Sequence, residues 1–533
     1  MSATQPFRVV VADSIALDGL APLRDDPRFT LDVRARLSPD ELADALVDAD
    51  AVLVRSATRI TRASLARANR LKAIGRAGVG VDTIDVDAAT ERGIPVLTAP
   101  AGNTTSAAEL TMALLLSLVR RVAAADRSMH AGEWERGRFA GVELHGKVLG
   151  LVGAGRIGGE VAIRARAFGM RVLVHDPFLN AERALALGVE SVSLDDVIER
   201  VDVLSVHVPL TEQTEGLIDA AAIARMKPGA IILNVARGGI VNEDALVEAL
   251  QSGQLRGAAL DVFAQEPLPA EHVLRTMSNV VLTPHLGAST VEAQQNVALE
   301  IADAVRSALL EGDLSRAVNA PVVGGEDMRR LRPLLPLARS LGRLAMALAD
   351  GPLAHVEVRY AGRLPGGLRM IAASAVSGAL STALDEDGVN LVNALPLATS
   401  RGISVDQVRL DPTAAFPESI EVRVRTDTGS HRTGGALLGD SYERILQVDD
   451  FRVDMPSHGA LLVLRNRDVP GVIGRVGTLL GAAGVNIAGY HQSRLAAGGD
   501  ALAVIAVDAA PDARTLSALR GLDEVSEARF VAL

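Results

Sequence analysis

The sequence predicts an α/β protein whose N-terminal part forms two doubly wound lobes and whose C-terminal part forms two smaller α+β domains. Three observations support this fold class. Between residues 8 and 310, short β-branched runs alternate with helical patterns, as in parallel sheets that carry helices on both faces. Residues 459–533 follow the order strand, helix, strand, strand, helix, strand. The length of 533 residues also exceeds what one hydrophobic core organises.

The first lobe begins with short strands that alternate with helices. Strands are predicted over residues 8–12, 51–54, 71–75 and 95–97. Ser38-Pro39-Asp40-Glu41 predicts the start of a helix, because Ser38 can cap it, Glu41 completes a capping box and proline suits the first helical position.

The second lobe repeats this alternation, with strands predicted over residues 148–153, 171–175, 203–207, 231–235, 258–261 and 280–282. Two long helical stretches, residues 102–121 and 290–310, flank this lobe and are interpreted as crossings between the lobes. The chain then returns to the first lobe after Thr283, and the active site is expected in the cleft between the lobes. A linker is predicted near residues 319–325. The expected domains are residues 1–100 with 284–318, residues 101–283, residues 319–456 and residues 457–533.

Composition excludes several classes of protein. Hydrophobic residues make up 48% of the chain and aromatic residues only 2%, so Ala, Val and Leu must fill the cores. The net charge of −11 argues against a nucleic-acid partner, which requires a basic face. The absence of cysteine excludes disulfides and thiolate metal sites and suits a cytoplasmic protein, and no metal is expected. No secretory signal is visible, and the most apolar stretch, residues 110–119, is too short to span a membrane.

A glycine-rich turn predicts a dinucleotide site. The apolar strand ending at Val152 leads into Gly153-Ala154-Gly155-Arg156-Ile157-Gly158, which opens a helix. Gly153 permits the turn, Gly155 lets the backbone approach a pyrophosphate, and Gly158 lets the helix pack on the strand. The N–H groups at the helix start, around Arg156 and Ile157, suit phosphate. Asp176 ends the next strand, where an acid binds the ribose hydroxyls and favours NAD over NADP. The alternative is that the glycines and Asp176 serve only the turns.

Three predicted strands of the second lobe end in loops with functional side chains, Arg237, Glu266 and His285. Ligands of open α/β sheets bind beyond the carboxyl ends of the strands. An alcohol oxidation needs a base for the hydroxyl proton, and a histidine with a carboxylate partner suits this role. Arg237 can hold a substrate carboxylate. Alone, each residue would more simply be structural or solvated; the combination favours catalysis.

The segments GAGRIG, HVPLT, NVARGGIV, DVFAQEP and TPHLGAST together resemble the D-isomer-specific 2-hydroxyacid dehydrogenase family over about residues 5–320. The resemblance implies two Rossmann-like lobes and NAD as the cofactor. It places the family's catalytic residues on Arg237, Glu266 and His285, and it adds Asp261 to the cofactor-binding residues.

Within the family, the resemblance is most specific to members that act on 3-phosphoglycerate, which is therefore the expected substrate. Arg55 and Arg76 are predicted to bind its phosphate. The remaining substrate-binding residues are predicted to be Ser56, Gly78, Val79, Asn103 and Arg138. The resemblance implies that Arg138 reaches the site of a neighbouring subunit, for which Arg136 competes. Thr83 departs from the asparagine that relatives often carry at this position.

The C-terminal segment, with Asp468-Val469-Pro470-Gly471 entering a helix and Asn486 before the next strand, resembles an ACT domain. The resemblance implies a βαββαβ fold that binds an amino acid, here L-serine. Asp468 can bind the ammonium group, N–H groups near Gly471 the carboxylate, and Asn486 can bridge. The alternative is that these are turn residues in a dimerising domain. Residues 327–455 resemble the intervening domain of the family's long form, and a homo-oligomer, expected to be a tetramer, is implied.

Two other functions fit parts of this pattern. A glyoxylate or hydroxypyruvate reductase of the same family would have no use for the Arg55 and Arg76 pair and usually lacks an ACT domain. A non-catalytic NAD-sensing or corepressor-like protein could share the fold, although the presence of Arg237, Glu266 and His285 argues against it.

Overall fold

A computed structural model describes residues 5–34, 36–323, 325–384, 388–413, 416–439 and 441–533. Gly324, in the predicted linker, lies outside the described residues. No helix in these described ranges is both long and apolar enough to cross a membrane.

The first lobe is built on a five-stranded parallel sheet. Its strands are β1 (Phe7–Val11), β2 (Phe29–Val33), β3 (Ala51–Val54), β4 (Ala73–Arg76) and β5 (Val96–Thr98). They pair in the order β2-β1-β3-β4-β5. The helices between them are α1 (Ala21–Arg24), α2 (Pro39–Leu46), α3 (Arg62–Leu65) and α4 (Val86–Glu91). The predicted capping box of α2 is confirmed: the Glu41 N–H donates to the Ser38 hydroxyl, and the Ser38 N–H donates to the Glu41 carboxylate.

Two helices, α5 (Thr104–Val119) and α6 (Val122–His130), lead into the second lobe. Its strands are β6 (Val148–Val152), β7 (Arg171–His175), β8 (Glu190–Ser191), β9 (Val203–Val206), β10 (Ala230–Asn234), β11 (Leu255–Leu260) and β12 (Val280–Leu282). The helices are α7 (Arg156–Ala167), α8 (Ala181–Leu187), α9 (Leu194–Arg200), α10 (Ala220–Arg225) and α11 (Glu243–Ser252). The sheet order is β12-β11-β10-β9-β6-β7-β8. Because the order reverses between β6 and β9, a ligand crevice is expected at their carboxyl ends.

Helix α12 (Val291–Glu311) returns the chain to the first lobe, as predicted. Its buried face joins the core beneath the first sheet, where Ile301 and Val305 pack with Val9 and Leu53. Gly75 in β4 makes this close approach possible, because a Cβ there would lie 2.5 Å from Leu53 and 2.9 Å from Val305.

The intervening region combines a mixed sheet with a helix pair. Its helices are α13 (Gly325–Leu331), α14 (Leu334–Leu348), α15 (Leu368–Leu380) and α16 (Ala394–Ser400). Its strands are β13 (Leu353–Ala361), β14 (Ser404–Leu410), β15 (Ser419–Thr426), β16 (Ser430–Leu438), β17 (Tyr442–Val448) and β18 (Phe451–Pro456). The sheet order is β14-β13-β15-β16-β17-β18, with one parallel pair, β13 and β14. Asn390 donates to the Gly93 carbonyl of the first lobe at 2.8 Å, and Val392 joins that lobe's core.

The C-terminal domain has the predicted βαββαβ order. Its elements are β19 (Ala460–Arg467), α17 (Val472–Ala482), β20 (Ile487–Arg494), β21 (Asp500–Val507), α18 (Ala513–Arg520) and β22 (Val525–Ala532). The antiparallel sheet has the order β20-β21-β19-β22. Both of its faces are buried: Leu462 and Ile505 pack on the domain's own helices, whereas Leu461 and Val504 join the core of the intervening region. The predicted fold class is thus confirmed.

Candidate active site

The glycine-rich turn between β6 and α7 is shaped by two close backbone approaches. Gly153 has φ +94°, and a Cβ on it would lie 2.7 Å from the His207 carbonyl oxygen. A Cβ on Gly158 would lie 2.2 Å from the Gly153 carbonyl oxygen, so α7 can start here only with glycine. No atom lies within 4 Å of the Cβ position of Gly155, which leaves open space above the turn. No side chain caps α7, so its first N–H groups, beginning at Arg156 and Ile157, are available to a phosphate.

Asp176 lies directly after β7, beside this turn. Its carboxylate accepts hydrogen bonds from the N–H groups of Ala154 and Phe178, each at 2.8 Å. These contacts fix the carboxylate at the mouth of the turn, and its oxygens keep further lone pairs for hydroxyl donors. The turn, the uncapped helix and this acid therefore fit a dinucleotide with free ribose hydroxyls.

His285 and Glu266 form a hydrogen-bonded pair at the carboxyl end of the second sheet. Nδ1 of His285 lies 2.7 Å from Oε2 of Glu266, and the two side chains are 47% and 36% exposed. The Phe263 N–H donates to the other Glu266 oxygen at 3.0 Å, which orients the carboxylate. A cavity of about 530 Å³ lies beside the pair. A reactive imidazole with a fixed partner is thus open to a ligand.

Asp261 holds the loop that carries His285. It is fully buried, and its carboxylate accepts from the Thr283 hydroxyl at 2.6 Å, the Leu286 N–H at 2.7 Å and the Gly287 N–H at 2.9 Å. Burial raises the pKa of Asp261, while these hydrogen bonds oppose the shift. The observed contacts of this residue, predicted to bind the cofactor, are therefore with the segment around His285.

Arg237 follows β10 and reaches the opposite lobe. Its loop is fixed by Asn234, which accepts from the Ala236 N–H and donates to the Arg237 carbonyl. A Cβ on Gly238 would lie 1.9 Å from the Phe263 carbonyl oxygen, so the Arg237 loop lies directly on the loop of Glu266. Nε of Arg237 forms an ion pair with Asp82 of the first lobe at 3.1 Å.

Arg55 and Arg76 lie on the facing side of the cleft. Arg55 directly follows β3, and Arg76 is the last residue of β4. Arg55 is half-buried and donates to the Ser14 carbonyl at 3.0 Å. Arg76 donates to the Ala77 carbonyl, and its Nε is buried without a hydrogen-bond partner. Burial, with repulsion from Arg237 and Arg55, lowers the pKa of Arg76 to about 10. The structure thus brings the guanidinium groups of Arg237 and Arg55 into electrostatic range of Arg76, which is a suitable environment for a multiply charged anion.

Three other predicted substrate-binding residues, Ser56, Gly78 and Val79, adjoin these arginines along the chain. Gly78 has φ +154°, and a Cβ on it would lie 2.7 Å from the Arg76 guanidinium, while Ser56 and Val79 are exposed. Asn103 precedes α5, and its side-chain oxygen is buried without a partner. Buried polar atoms are normally hydrogen-bonded, so this oxygen is available to accept a hydrogen bond from a ligand.

The described ion pairs of Arg138 join it only to residues nearby in the chain. It pairs with Glu133 at 3.2 Å and Glu135 at 2.9 Å, and Arg136 stacks over the ring of Trp134. The predicted reach of Arg138 into a neighbouring subunit stays a prediction.

The predicted effector residues are each engaged within the C-terminal domain. Asp468 pairs with Arg494 at 2.8 Å, and the Asn486 amide donates to Asp508 at 2.7 Å. Gly471, with φ +93°, precedes α17. The observed hydrogen bonds do not join Asp468 to Asn486.

Two carboxylates that shape the site were not predicted. Asp13, directly after β1, accepts from the N–H groups of Arg55, Ala57 and Thr58 and so fixes the loop after β3. Its position after a strand, like that of Arg55, was a signal that could have found it. Asp82 belongs to the loop after β4, but its partner Arg237 is 155 residues away, so no local pattern indicates the pairing.

Comparisons with known proteins identify three matching family models. The NAD-binding domain of D-isomer-specific 2-hydroxyacid dehydrogenases matches residues 112–287. The intervening domain of D-3-phosphoglycerate dehydrogenase matches residues 330–449, and the ACT domain matches residues 460–524.

Among similar proteins, the D-3-phosphoglycerate dehydrogenase of Synechocystis is 43% identical over 503 residues, covering 94% of this chain and 90% of that protein. The D-3-phosphoglycerate dehydrogenase of Archaeoglobus fulgidus is 39% identical over 529 residues, covering 99% and 100%. A solved structure of a Thermus thermophilus protein has a TM-score of 0.54 at 38% identity, covering 58% of this chain and 100% of its own. An NAD-dependent formate dehydrogenase from Staphylococcus aureus, in complex with NAD, has a TM-score of 0.52 at 32% identity, covering 58% and 97%.

Proposed function

The chain belongs to the D-3-phosphoglycerate dehydrogenases of the D-isomer-specific 2-hydroxyacid dehydrogenase family, and on this basis we propose that it oxidises the C2 hydroxyl of 3-phospho-D-glycerate to the ketone of 3-phosphohydroxypyruvate. This reaction is the first step of L-serine biosynthesis. One observation carries the proposal for the site. The loop of Arg237 lies against the loop of Glu266, which pairs with His285, and both Arg237 and Arg55 lie in electrostatic range of Arg76.

NAD is the cofactor, and the turn at Gly153–Gly158 with Asp176 would hold it. When bound, NAD supplies the hydride acceptor. The open space above Gly155 suits the pyrophosphate, and the Asp176 carboxylate suits the ribose hydroxyls while repelling a 2′-phosphate.

His285 is proposed as the base for the C2 hydroxyl. Donation from Nδ1 to Glu266 leaves Nε2 as the acceptor, so the hydroxyl proton passes to Nε2 while the hydrogen on C2 departs with its bonding electron pair. Glu266 then stabilises the imidazolium. Arg237 binds the C1 carboxylate and polarises the C2 oxygen as it becomes a carbonyl.

Arg55 and Arg76 are proposed to bind the 3-phosphate, with Ser56 and the Val79 N–H as neutral donors. The Gly78 N–H, which donates to the Arg76 carbonyl at 2.7 Å, would join them after leaving that carbonyl. The repulsion of Arg76 by Arg55 and Arg237 supports this, because a substrate carrying a carboxylate and a phosphate relieves it. Asn103, with its unpartnered oxygen, is proposed to help position the substrate.

An assay with a panel of 2-hydroxy acids tests this function. NADH formation from 3-phosphoglycerate is expected to exceed that from D-glycerate and glycolate. Preference for an unphosphorylated acid would indicate a glyoxylate or hydroxypyruvate reductase, and no turnover of any acid would favour an NAD-sensing protein.

L-Serine is proposed as the effector of the ACT domain, in a cytoplasmic homotetramer. Serine's ammonium group would replace Arg494 at Asp468, and Asn486 would leave Asp508 to bridge the ligand. Serine is expected to inhibit the intact chain, and Asn486→Ala is expected to weaken this inhibition. An unchanged inhibition curve in that variant would place the effector elsewhere.

A further inference from the structure

The ion pair between Arg237 and Asp82 joins the two lobes across the cleft. Nε of Arg237 lies 3.1 Å from Oδ2 of Asp82, and the side chains are 27% and 64% exposed. Exposed ion pairs contribute little to folding stability. Folding stability therefore does not explain why Asp82 pairs with Arg237, the arginine that is proposed to bind the substrate.

Two of the three guanidinium nitrogens of Arg237 already donate hydrogen bonds within the protein. Nε is bound to Asp82, and one N–H of Nη1 donates to the Ala236 carbonyl at 2.7 Å. A carboxylate can approach a guanidinium side-on, at Nε and Nη2, or end-on, at Nη1 and Nη2. Because Asp82 occupies Nε, the side-on approach is blocked, and an end-on approach would use Nη2 together with the second N–H of Nη1.

Gly80 provides the surface on which this guanidinium lies. A Cβ on Gly80 would lie 1.8 Å from Nη2 of Arg237 and 2.7 Å from Oδ2 of Asp82. The loop after β4 therefore holds Arg237 by two features, a carboxylate on Nε and a missing side chain beneath Nη2.

We propose that Asp82 is a positioning residue for Arg237, which it orients so that the end-on edge of the guanidinium receives the C1 carboxylate of the substrate. Asp82 also attracts Arg76 and so offsets part of the repulsion of Arg76 by Arg55 and Arg237 before the anion binds. This inference rests on the proposed function only in assigning Arg237 to the substrate carboxylate.

Steady-state kinetics of Asp82→Ala, Asp82→Asn and Gly80→Ala test the inference. Asp82→Ala is expected to lower kcat/KM for 3-phosphoglycerate about tenfold to a hundredfold, because a misplaced binding group impairs orientation. The loss should be similar for D-glycerate, which shares the C1 carboxylate. Asp82→Asn retains a neutral acceptor and should lose less. Gly80→Ala should lose activity although Asp82 is intact, because its Cβ displaces the guanidinium. Asp87→Asn, on the exposed side of α4, is the matched control and should match the wild type.

A double-mutant cycle separates positioning from general damage. If Asp82 acts through Arg237, Asp82→Ala should add no further loss to Arg237→Ala. Losses that add, or wild-type kinetics for Asp82→Ala, would overturn the inference. If the wild type does not oxidise 3-phosphoglycerate, the proposed function fails. The cycle is then judged on the 2-hydroxy acid that the panel identifies, since every such acid carries the carboxylate in question.

Discussion

At the scale of single residues, His285, the proposed base, is held in an uncommon backbone conformation. His285 has φ +56°, in the left-handed region that non-glycine residues seldom adopt. The Asp261 carboxylate fixes the residues on both sides, and the Asp261 carbonyl accepts from the His285 N–H at 2.9 Å. Strained conformations persist where surrounding contacts determine them, and they concentrate at functional sites.

Replacing His285 by alanine is expected to lower kcat by about a hundredfold or more, the usual scale for losing a general base. The measurement is NADH formation at saturating 3-phosphoglycerate. His130→Ala is the control, because His130 is 83% exposed. Unchanged turnover in His285→Ala would remove this residue from the mechanism.

Replacing Arg55 by alanine is expected to lower kcat/KM for 3-phosphoglycerate about tenfold to a hundredfold, since charge-assisted hydrogen bonds to the phosphate are lost. D-Glycerate, which lacks the phosphate, should be affected much less. Arg59→Ala, at an exposed neighbouring position, should retain the wild-type ratio of the two substrates. Equal losses for both substrates in Arg55→Ala would contradict the phosphate role.

The residues that could be predicted from the sequence are those whose signal is local. Arg237, Glu266 and His285 each follow a strand, and the structure pairs His285 with Glu266 as expected. Asp82 could not be predicted as the partner of Arg237, because that contact depends on how two separate lobes face each other.

At the scale of elements, burial decides which strands the sequence reveals. The central strands β3 and β10 are fully buried and appear in the sequence as largely apolar runs. Their predicted boundaries therefore agree with the observed ones within one or two residues. The edge strand β2 is partly exposed and was missed. In the intervening region, helix and strand signals are mixed over about residues 327–455, so no individual element was predicted there; β14 is largely exposed and polar and has no continuous apolar run.

The start of α7 provides a prediction at this scale. Gly158→Ala places a Cβ against the Gly153 carbonyl, and such overpacking typically costs about 1–3 kcal/mol. A lower melting temperature and a raised KM for NAD are expected. Gly159→Ala is the matched control, because the nearest atom to its Cβ, on Leu187, is 3.6 Å away. That variant should be as stable as the wild type or more stable. Equal behaviour of the two variants would contradict the close approach.

At the scale of the whole molecule, one partly buried histidine links folding to pH. Burial lowers the pKa of His207, behind the glycine-rich turn, to about 4. The unfolded chain binds this proton near pH 6.5. The stabilising effect of neutral His207 is therefore fully present above pH 6.5 and is lost as the pH falls toward 4, by at most about 3 kcal/mol.

Urea unfolding at pH 7 and pH 4.5 measures this effect. His207→Asn, which cannot take up the proton, should lose less stability between the two pH values than the wild type. The same pH dependence in both proteins would assign acid sensitivity to other groups.

Asn390 and Val392 attach the C-terminal half to the lobe that carries Arg55 and Arg76, at the turn between α4 and β5. Strand β5 pairs with β4, which ends at Arg76. A displacement of that attachment would therefore first affect Arg55 and Arg76, the residues proposed to bind the substrate phosphate. It would affect the dinucleotide turn only afterwards. An inhibitor that works through this connection should raise the KM for the acid while the KM for NAD stays nearly constant.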